Sequence, residues 1–499
     1  MPTRILIDRG LRTPVYRQIS DALRDQIRAG EIPDGERLPS ERALAIELGV
    51  NRTTIVNAYD ELSASGLVSG EVGRGTVVQA QPAFDAGQSD EGMAWSGLFA
   101  EQAGWESTMA MQELMESVTR DDVISVAVAC ASGDLFPVEA VRTLLNETLD
   151  AEGADAFRFA ATQGIGRLRE AIADLAGRRG VVVDPEQVMV TTGAQQAISM
   201  VASCLVGPGD LVAIETPCYT GAISVLRERG ARLIGIPTDA DGMRVDVLEQ
   251  VLERNAVKMV FTMPNFSNPS GTVLSADRRR RLLEVTHRFR VPLVNDDVHG
   301  SVVLEGPPPP PLAAAGPSDH VITIDSLPKV FISGLRIGWI TAAPELIRRA
   351  VLVKQSADMS SATLEQELAA RVLETGLLRT HLDHVLPRYR ERRDLMIDAL
   401  QRHCGEVLIP NRPGGGMSLW CRLTGGFSAR ALLGEAVREG VVFLPGDSFS
   451  VGSDESSKLR ICFGLGTEAD LEEGAERLGR AIAAVSQRSV VRRRAAPVV

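Results

Sequence analysis

The sequence predicts an α/β protein: a large domain on a mainly parallel sheet, a smaller C-terminal α+β domain, and a small N-terminal head of three helices and a β-hairpin. Three observations carry that expectation. From about residue 112 apolar β-type runs alternate with helical stretches, which implies a parallel sheet covered on both faces. Before residue 80 the chain breaks into short amphipathic segments ended by Gly and Pro. A length of 499 residues with 44% hydrophobic content exceeds one ordinary domain. The expected boundaries are a head at 1–80, a linker at 81–111, a body at 112–485 (large domain about 150–370, small domain about 371–485), and a basic tail without fixed structure at 486–499.

In the head, Val15, Ile19, Leu23 and Ile27 recur every four residues, one face of a helix that stops at Ala29-Gly30. Ser40 in Pro39-Ser40-Glu41-Arg42 is the N-cap of a second helix through Leu48, and Gly49 supplies the positive φ of a tight turn. Asn51 caps a third helix, Thr53 to Ser65. A helix, a short turn and a second helix place one helix in the DNA major groove with its first residues at the base edges, here Asn51, Arg52, Thr53 and Thr54. Leu67 to Val78 reads as two strands around Gly73-Arg74-Gly75, a wing whose tip arginine reaches a minor groove.

Charge alone does not single out DNA. A net charge of −12 and a pI near 5.2 argue against a protein that coats nucleic acid through its overall field. Arrangement does the work, because Arg37, Arg42, Arg52 and Arg74 stand at cap, turn and wing positions where phosphates lie. The plainer alternative is a protein-binding three-helix module. Against it stands an ungapped series, P-V-Y-x-Q-I, R-L-P-S-E-R, L-G-V-N-R-T-T and G-x-G-T, which resembles the GntR family of bacterial regulators. The resemblance implies a winged helix-turn-helix, a double-stranded DNA operator as partner, and DNA contacts at Arg42, Arg52, Thr53, Gly73 and Gly75.

In the body, strands are expected at Val188–Thr192, Leu211–Ile214, Met259–Thr262, Val291–Val294 and Val321–Ile324, and helices at Arg167–Arg178, Arg278–Arg290 and Ala343–Lys354. A long helix, Thr380–Arg402, shorter strands and a final helix, Glu468–Ala484, follow. Only four lysines occur, and Lys329 lies just past an apolar strand, at a sheet end where α/β folds bind ligands and partial burial suits a lysine to Schiff-base chemistry. A lone lysine there reads equally as a surface residue. Four further features converge on pyridoxal 5′-phosphate (PLP) held by Lys329. Asp296 ends a buried strand and suits the pyridine nitrogen; Asn268 on a rigid turn suits the ring hydroxyl. Gly193-Ala194-Gln195 open a helix for the phosphate, with Ser326 and Arg336 beside the lysine. Tyr219 offers a flat partner for the ring.

In this order and spacing, with Leu135-Phe136-Pro137, residues 112 to 485 resemble fold type I aminotransferases. Leu459 to Gly464 resembles the segment whose arginine grips an amino acid's α-carboxylate, which implies Arg460 as the effector residue. Three departures stand out: Val298-His299 where many relatives have tyrosine, Phe159 in place of a phosphate-binding tyrosine, and Pro328 in place of a common serine. His299, titrating near neutrality, is expected to retune the pH response of the site. The departures weigh more against full turnover than against cofactor binding, leaving aminotransferase half-reactions.

The two halves together resemble the MocR subfamily of GntR regulators. That implies a body that senses PLP or an amino compound, a head-to-tail homodimer, and two operator half-sites spaced by roughly 10 bp or a multiple. The alternative is an aminotransferase with an accessory head. Six scattered cysteines give no metal spacing, and metal ligands are not expected. No apolar run reaches membrane-spanning length, and the expected location is the cytoplasm.

Overall fold

The computed structural model describes residues 5–8, 10, 13–64, 67–71, 75–79, 122–329 and 331–495. The chain forms two compact units, the head and the body. The expected linker at 81–111, and Gly73 and Arg74 at the wing tip, lie outside the described residues.

The head consists of α1 (Val15–Arg28), α2 (Glu41–Leu48), α3 (Arg52–Ala64) and the antiparallel hairpin of β1 (Val68–Glu71) and β2 (Gly75–Val78). The four-residue apolar repeat of α1 is its buried face: Ile19, Leu23 and Ile27 pack with Leu44, Ile55, Leu62, Val68 and Val78. Ser40 caps α2 by accepting the Ala43 amide at 3.3 Å, and Gly49 takes φ +61° in the turn before α3. Tyr59 ties α3 to the segment that enters α2, its hydroxyl donating to the Pro39 carbonyl at 2.7 Å.

The body begins with β3 (Ile124–Ser125). Its main sheet comprises β4 (Val188–Thr191), β5 (Leu211–Thr216), β6 (Arg232–Asp239), β7 (Gly242–Met243), β8 (Val257–Thr262), β9 (Leu293–Asp296), β10 (Val321–Ser326) and β11 (Gly338–Thr341). The spatial order is β4-β11-β10-β9-β8-β5-β6-β7. Neighbours from β10 to β6 are parallel; β11 is antiparallel to both its partners, so β4 runs with the parallel set. Strand pleat sends alternate residues to opposite faces. Val212, Ile214, Met259 and Phe261 meet the helices Ala194–Leu205 and Thr220–Glu228 on one face, whereas Ala213, Val260 and Leu293 meet Val245–Arg254 and Ala276–Arg288 on the other.

The C-terminal part adds β12 (Leu408–Pro410), β13 (Ser418–Leu423), β14 (Val441–Val442), β15 (Leu444–Pro445) and β16 (Lys458–Cys462). An antiparallel sheet runs β12-β13-β16-β15, and β14 pairs in parallel with β3, tying the start of the body to its end. Beside this sheet lie the long helix Leu377–Cys404 and the final helix Glu468–Ala495. That last helix corrects the expectation of a tail without fixed structure from 486, since it continues to Ala495. Between Ala484 and Pro497 the sequence has no Gly or Pro and carries four Arg, a good helix former, so nothing breaks the helix earlier. Among the described residues no helix is long and apolar enough to cross a membrane.

Two glycines test the packing. A Cβ at Gly235 in β6 overlaps the Val451 carbonyl oxygen, whereas one at Gly434, inside the helix Ala429–Arg438, meets open space. Gly235→Ala is expected to cost about 1–3 kcal/mol and lower the unfolding midpoint by several degrees. Gly434→Ala is expected to gain about 0.5–1 kcal/mol from helix propensity. Thermal unfolding of the two variants checks both signs.

Candidate cofactor site and nucleic-acid interface

The C-terminal ends of the parallel strands deliver the site. β9 ends at Asp296, β10 runs through Ser326 into a turn carrying Lys329, β4 leads through Thr192 to the helix that starts at Ala194, and β5 leads to Tyr219. Into this edge the segment 127–130 and β16 bring Ala129, Cys130 and Arg460.

Lys329 donates its Nζ hydrogen to the Ala129 carbonyl. Burial lowers its pKa, and Arg460 adds to that effect while Cys130 and Asp296 oppose it. The amine therefore loses its proton more easily than a surface lysine, as nucleophilic attack on a carbonyl requires. Asp296 is buried, and burial pushes its carboxyl up to about 7, with Asp297 and Glu215 adding to the rise and the Val298 amide and Lys329 restraining it. A cation beside it would hold it ionised.

The opening of the helix Ala194–Leu205 is shaped by Gly193 at φ +88°. A Cβ there would stand 2.8 Å from Arg336 Nη2, so glycine lets the guanidinium lie against the helix start. Arg336 also donates to the Thr192 carbonyl at 3.3 Å and takes φ +52° itself, a left-handed conformation uncommon for arginine. A cation above free amides at a helix N-terminus is an anion site. Tyr219 donates its hydroxyl to Gln195 Oε1 at 3.0 Å, and Gln195 Nε2 donates to the Gly221 carbonyl at 3.1 Å, so the Gln195 side chain positions the tyrosine while its backbone belongs to the helix start. Ser326 is buried opposite Gly338 in the β10/β11 pairing.

Arg460 is buried with its guanidinium 5.0 Å from the Phe449 ring centre. It donates from Nη1 to Asn268 Oδ1 at 2.8 Å and from Nη2 to the Ala127 carbonyl. His299 is also buried, and its Nδ1 lies 3.1 Å from the Phe266 carbonyl. A carbonyl only accepts, so Nδ1 carries the hydrogen and Nε2 a lone pair. Burial, with the charges of Lys329 and Arg460, lowers the His299 pKa to about 4. The expectation that His299 titrates near neutrality is thus corrected: the ring is neutral at physiological pH because its surroundings penalise a third positive charge.

Sequence reading missed the support behind the site. Asp297 accepts from Asn265 Nδ2 at 2.6 Å and pairs with Arg179 at 2.8 Å, while Arg279 donates to Asn265 Oδ1 at 2.5 Å. Glu215 is held by Thr262, by Ser267 at 3.1 Å and by the Met263 amide at 3.3 Å. These residues are distant in sequence and form no local motif; the Asp296-Asp297 doublet was the one available signal.

In the head, Arg37, Arg42, Asn51, Arg52 and Thr53 are exposed on one module, and Thr54 is half-buried. Asn51 Oδ1 accepts the Thr53 amide at 3.1 Å. Arg52 is held by Glu41 through Nε at 2.9 Å and Nη2 at 2.7 Å. Gly75, at φ +87°, lies beside the Arg37 side chain, with a Cβ position 3.7 Å from its Cδ.

Comparison with known proteins agrees with both halves. Residues 125–478 match the family described as aminotransferase class I and II, and residues 15–78 match bacterial regulatory proteins, gntR family. The aromatic-amino-acid aminotransferase 1 of Thermococcus litoralis is 33% identical over 77% of this chain and 94% of its own length. The "Probable rhizopine catabolism regulatory protein MocR" of Rhizobium meliloti is 30% identical over 88% of each chain, head included. Among solved structures, LysN, the α-aminoadipate aminotransferase of Thermus thermophilus complexed with N-(5′-phosphopyridoxyl)-L-leucine, is 30% identical with a TM-score of 0.71, over 79% of this chain and 99% of that one.

The cofactor this family implies is PLP, and the pocket fits it. Among the described residues, His299 Nε2 and Arg460 Nε are buried polar atoms with no partner, and the Gly193–Arg336 cradle is open to an anion. Asp296 yields a testable sign. In the apoprotein, Asp296→Asn removes a carboxylate whose pKa stands at about 7 folded against an ordinary 3.8. The variant is expected to be more stable than wild type above pH 7, with a gain that shrinks as the pH falls from about 7 towards 4, and to bind PLP more weakly. Thermal unfolding of both apoproteins at pH 8 and pH 5, with a PLP titration, checks the prediction; a pH-independent gain contradicts it.

Proposed function

From a chain that belongs to the aminotransferase class I and II family and carries a gntR-type head, as MocR-type regulators do, we propose a PLP-dependent DNA-binding transcriptional regulator. Its body senses PLP, an amino compound, or both, and thereby alters operator binding. One observation carries this reading: similarity to regulators runs through both halves, with HTH-type transcriptional regulator YdfD of Bacillus subtilis 28% identical over 96% of this chain.

When bound, PLP supplies an electrophilic carbonyl carbon that amines attack. Lys329 presents the competing amine of the protein, its proton loosened by burial. Asp296 would accept a hydrogen bond from a protonated ring nitrogen, Tyr219 would cover the ring, and Asn268 Nδ2 remains a donor because its Oδ1 is already used by Arg460. Gly193, Ala194 and Gln195 amides, with Ser326 and Arg336, would bind the phosphate. Arg460 would grip an effector carboxylate by giving up its bond to Asn268 or Ala127, which links effector entry to the segment 127–130. We assign Arg42, Arg52, Asn51, Thr53 and Thr54 to the operator, with Arg37, Gly73, Arg74 and Gly75 around the wing. The protein acts as a head-to-tail homodimer on paired half-sites. Selective coupling requires only that the effector favour one arrangement of heads and bodies.

An aminotransferase with an accessory head is the second reading, favoured by the identity to Thermococcus litoralis aromatic-amino-acid aminotransferase 1. Multiple turnover with a keto-acid acceptor, unchanged on removal of residues 1–80, would establish it over the regulator. Two outcomes are expected of the regulator. Lys329→Ala loses the absorbance band of lysine-bound PLP and, with it, the PLP-dependent change in the footprint on the protein's own upstream DNA. Arg42→Ala keeps the band but weakens operator binding about tenfold or more, the loss of roughly 1–3 kcal/mol at a specific arginine contact.

A further inference from the structure

Next to the segments that carry His299 and Ser326 the body contains a cavity of about 510 Å³, within the range that holds small-molecule ligands. It lies between the end of the helix Gly166–Arg178, the start of the helix Leu377–Cys404, and the segments that follow His299 and end β10. Lys329, Asp296, Asn268 and Arg460 do not line it; it shares only Ser326 with the proposed cofactor contacts. The cavity is therefore distinct from the pocket that holds Lys329.

Its walls are of two kinds. Leu175, Leu382 and Leu386 form an apolar lining with Trp339. Arg178 and Arg379 stand exposed at the rim, and among the described residues neither has an ion-pair partner. Adjacent Arg179 differs, being held by Asp297 at 2.8 Å and Asp325 at 3.7 Å. Asp383, one helical turn after Arg379, removes one unit of charge from the rim and disfavours a dianion. At the floor, burial and neighbouring Asp297 raise the Asp325 pKa, so this carboxyl repels an incoming anion less than an ordinary aspartate. Two arginines against one aspartate at the mouth, over leucines, form a receptor for one negative charge on an apolar body.

We propose that this cavity is a second ligand site, separate from the PLP pocket, for a singly charged amphiphilic carboxylic acid whose carboxylate is gripped by Arg178 and Arg379 and whose apolar body lies against Leu175, Leu382 and Leu386. The site does not depend on the reading of the cofactor pocket as a sensor.

The test uses full-length holoprotein and decanoate as probe, with decanamide as its uncharged counterpart, both below micellar concentrations and followed by calorimetry. One decanoate per chain is expected, bound at least tenfold more tightly than decanamide. Arg178→Ala/Arg379→Ala should erase that preference while leaving decanamide affinity unchanged. Leu382→Trp, which fills the cavity, should abolish binding of both; Leu386→Phe is the second filler should the tryptophan variant fail to fold, judged by circular dichroism and the absorbance of bound PLP. The proposal is overturned by absence of binding to wild type, by equal affinity for acid and amide, or by undiminished binding in the folded filler variants.

Discussion

The body is organised around charges that its own fold takes out of water. Lys329 stands within reach of Asp296 and Arg460 at the buried edge of the main sheet, with Glu215 near Asp296, and each charge there is costly unless paired. The acid responds by holding its proton towards neutral pH, and the lysine by giving up its proton more readily than a surface lysine does. Such a cluster survives only on a rigid frame. β8, β9 and β10 supply it, packed on both faces, and the Arg179–Asp297 and Arg279–Asn265 contacts anchor the loops that leave them.

What was legible in the sequence was what sits beside a strand end. Lys329, Asp296 and Gly193 follow apolar runs closely, and the helix starts at Ser40 and Asn51 announce themselves through capping side chains. Arg179, Glu215 and Ala129 were not legible as site residues, because their roles arise from contacts across tens to hundreds of positions. The strand β11 escaped for a related reason: Gly338–Thr341 is four residues long, and its place between β4 and β10 is a property of the sheet. His299 shows the limit most clearly. Its identity was visible, but its protonation depends on burial and on two neighbouring cations that no local pattern encodes.

The head presents the opposite electrostatic case, in which solvent keeps charges available. The Glu41–Arg52 pair is exposed, with side chains retaining 35% and 56% of their accessible surface, and pairs of that kind contribute little net stability. An anion can therefore compete for Arg52 at small cost, while Glu41 holds the guanidinium near the start of α3. Local geometry rather than net charge makes an acidic protein compatible with DNA, because at physiological salt the field of distant acids is screened within about 8 Å.

The bare atoms in the body pocket carry the same reasoning to its end. With its Nδ1 hydrogen committed to the Phe266 carbonyl, His299 offers only an acceptor at Nε2, where a tyrosine offers a donor hydrogen. Leaving a buried acceptor unmatched costs about 1–3 kcal/mol, and Arg460 Nε adds an unmatched donor nearby. A fold that tolerates both without filling the space with apolar side chains is arranged for a polar occupant. The histidine also requires that occupant to present a hydrogen to Nε2.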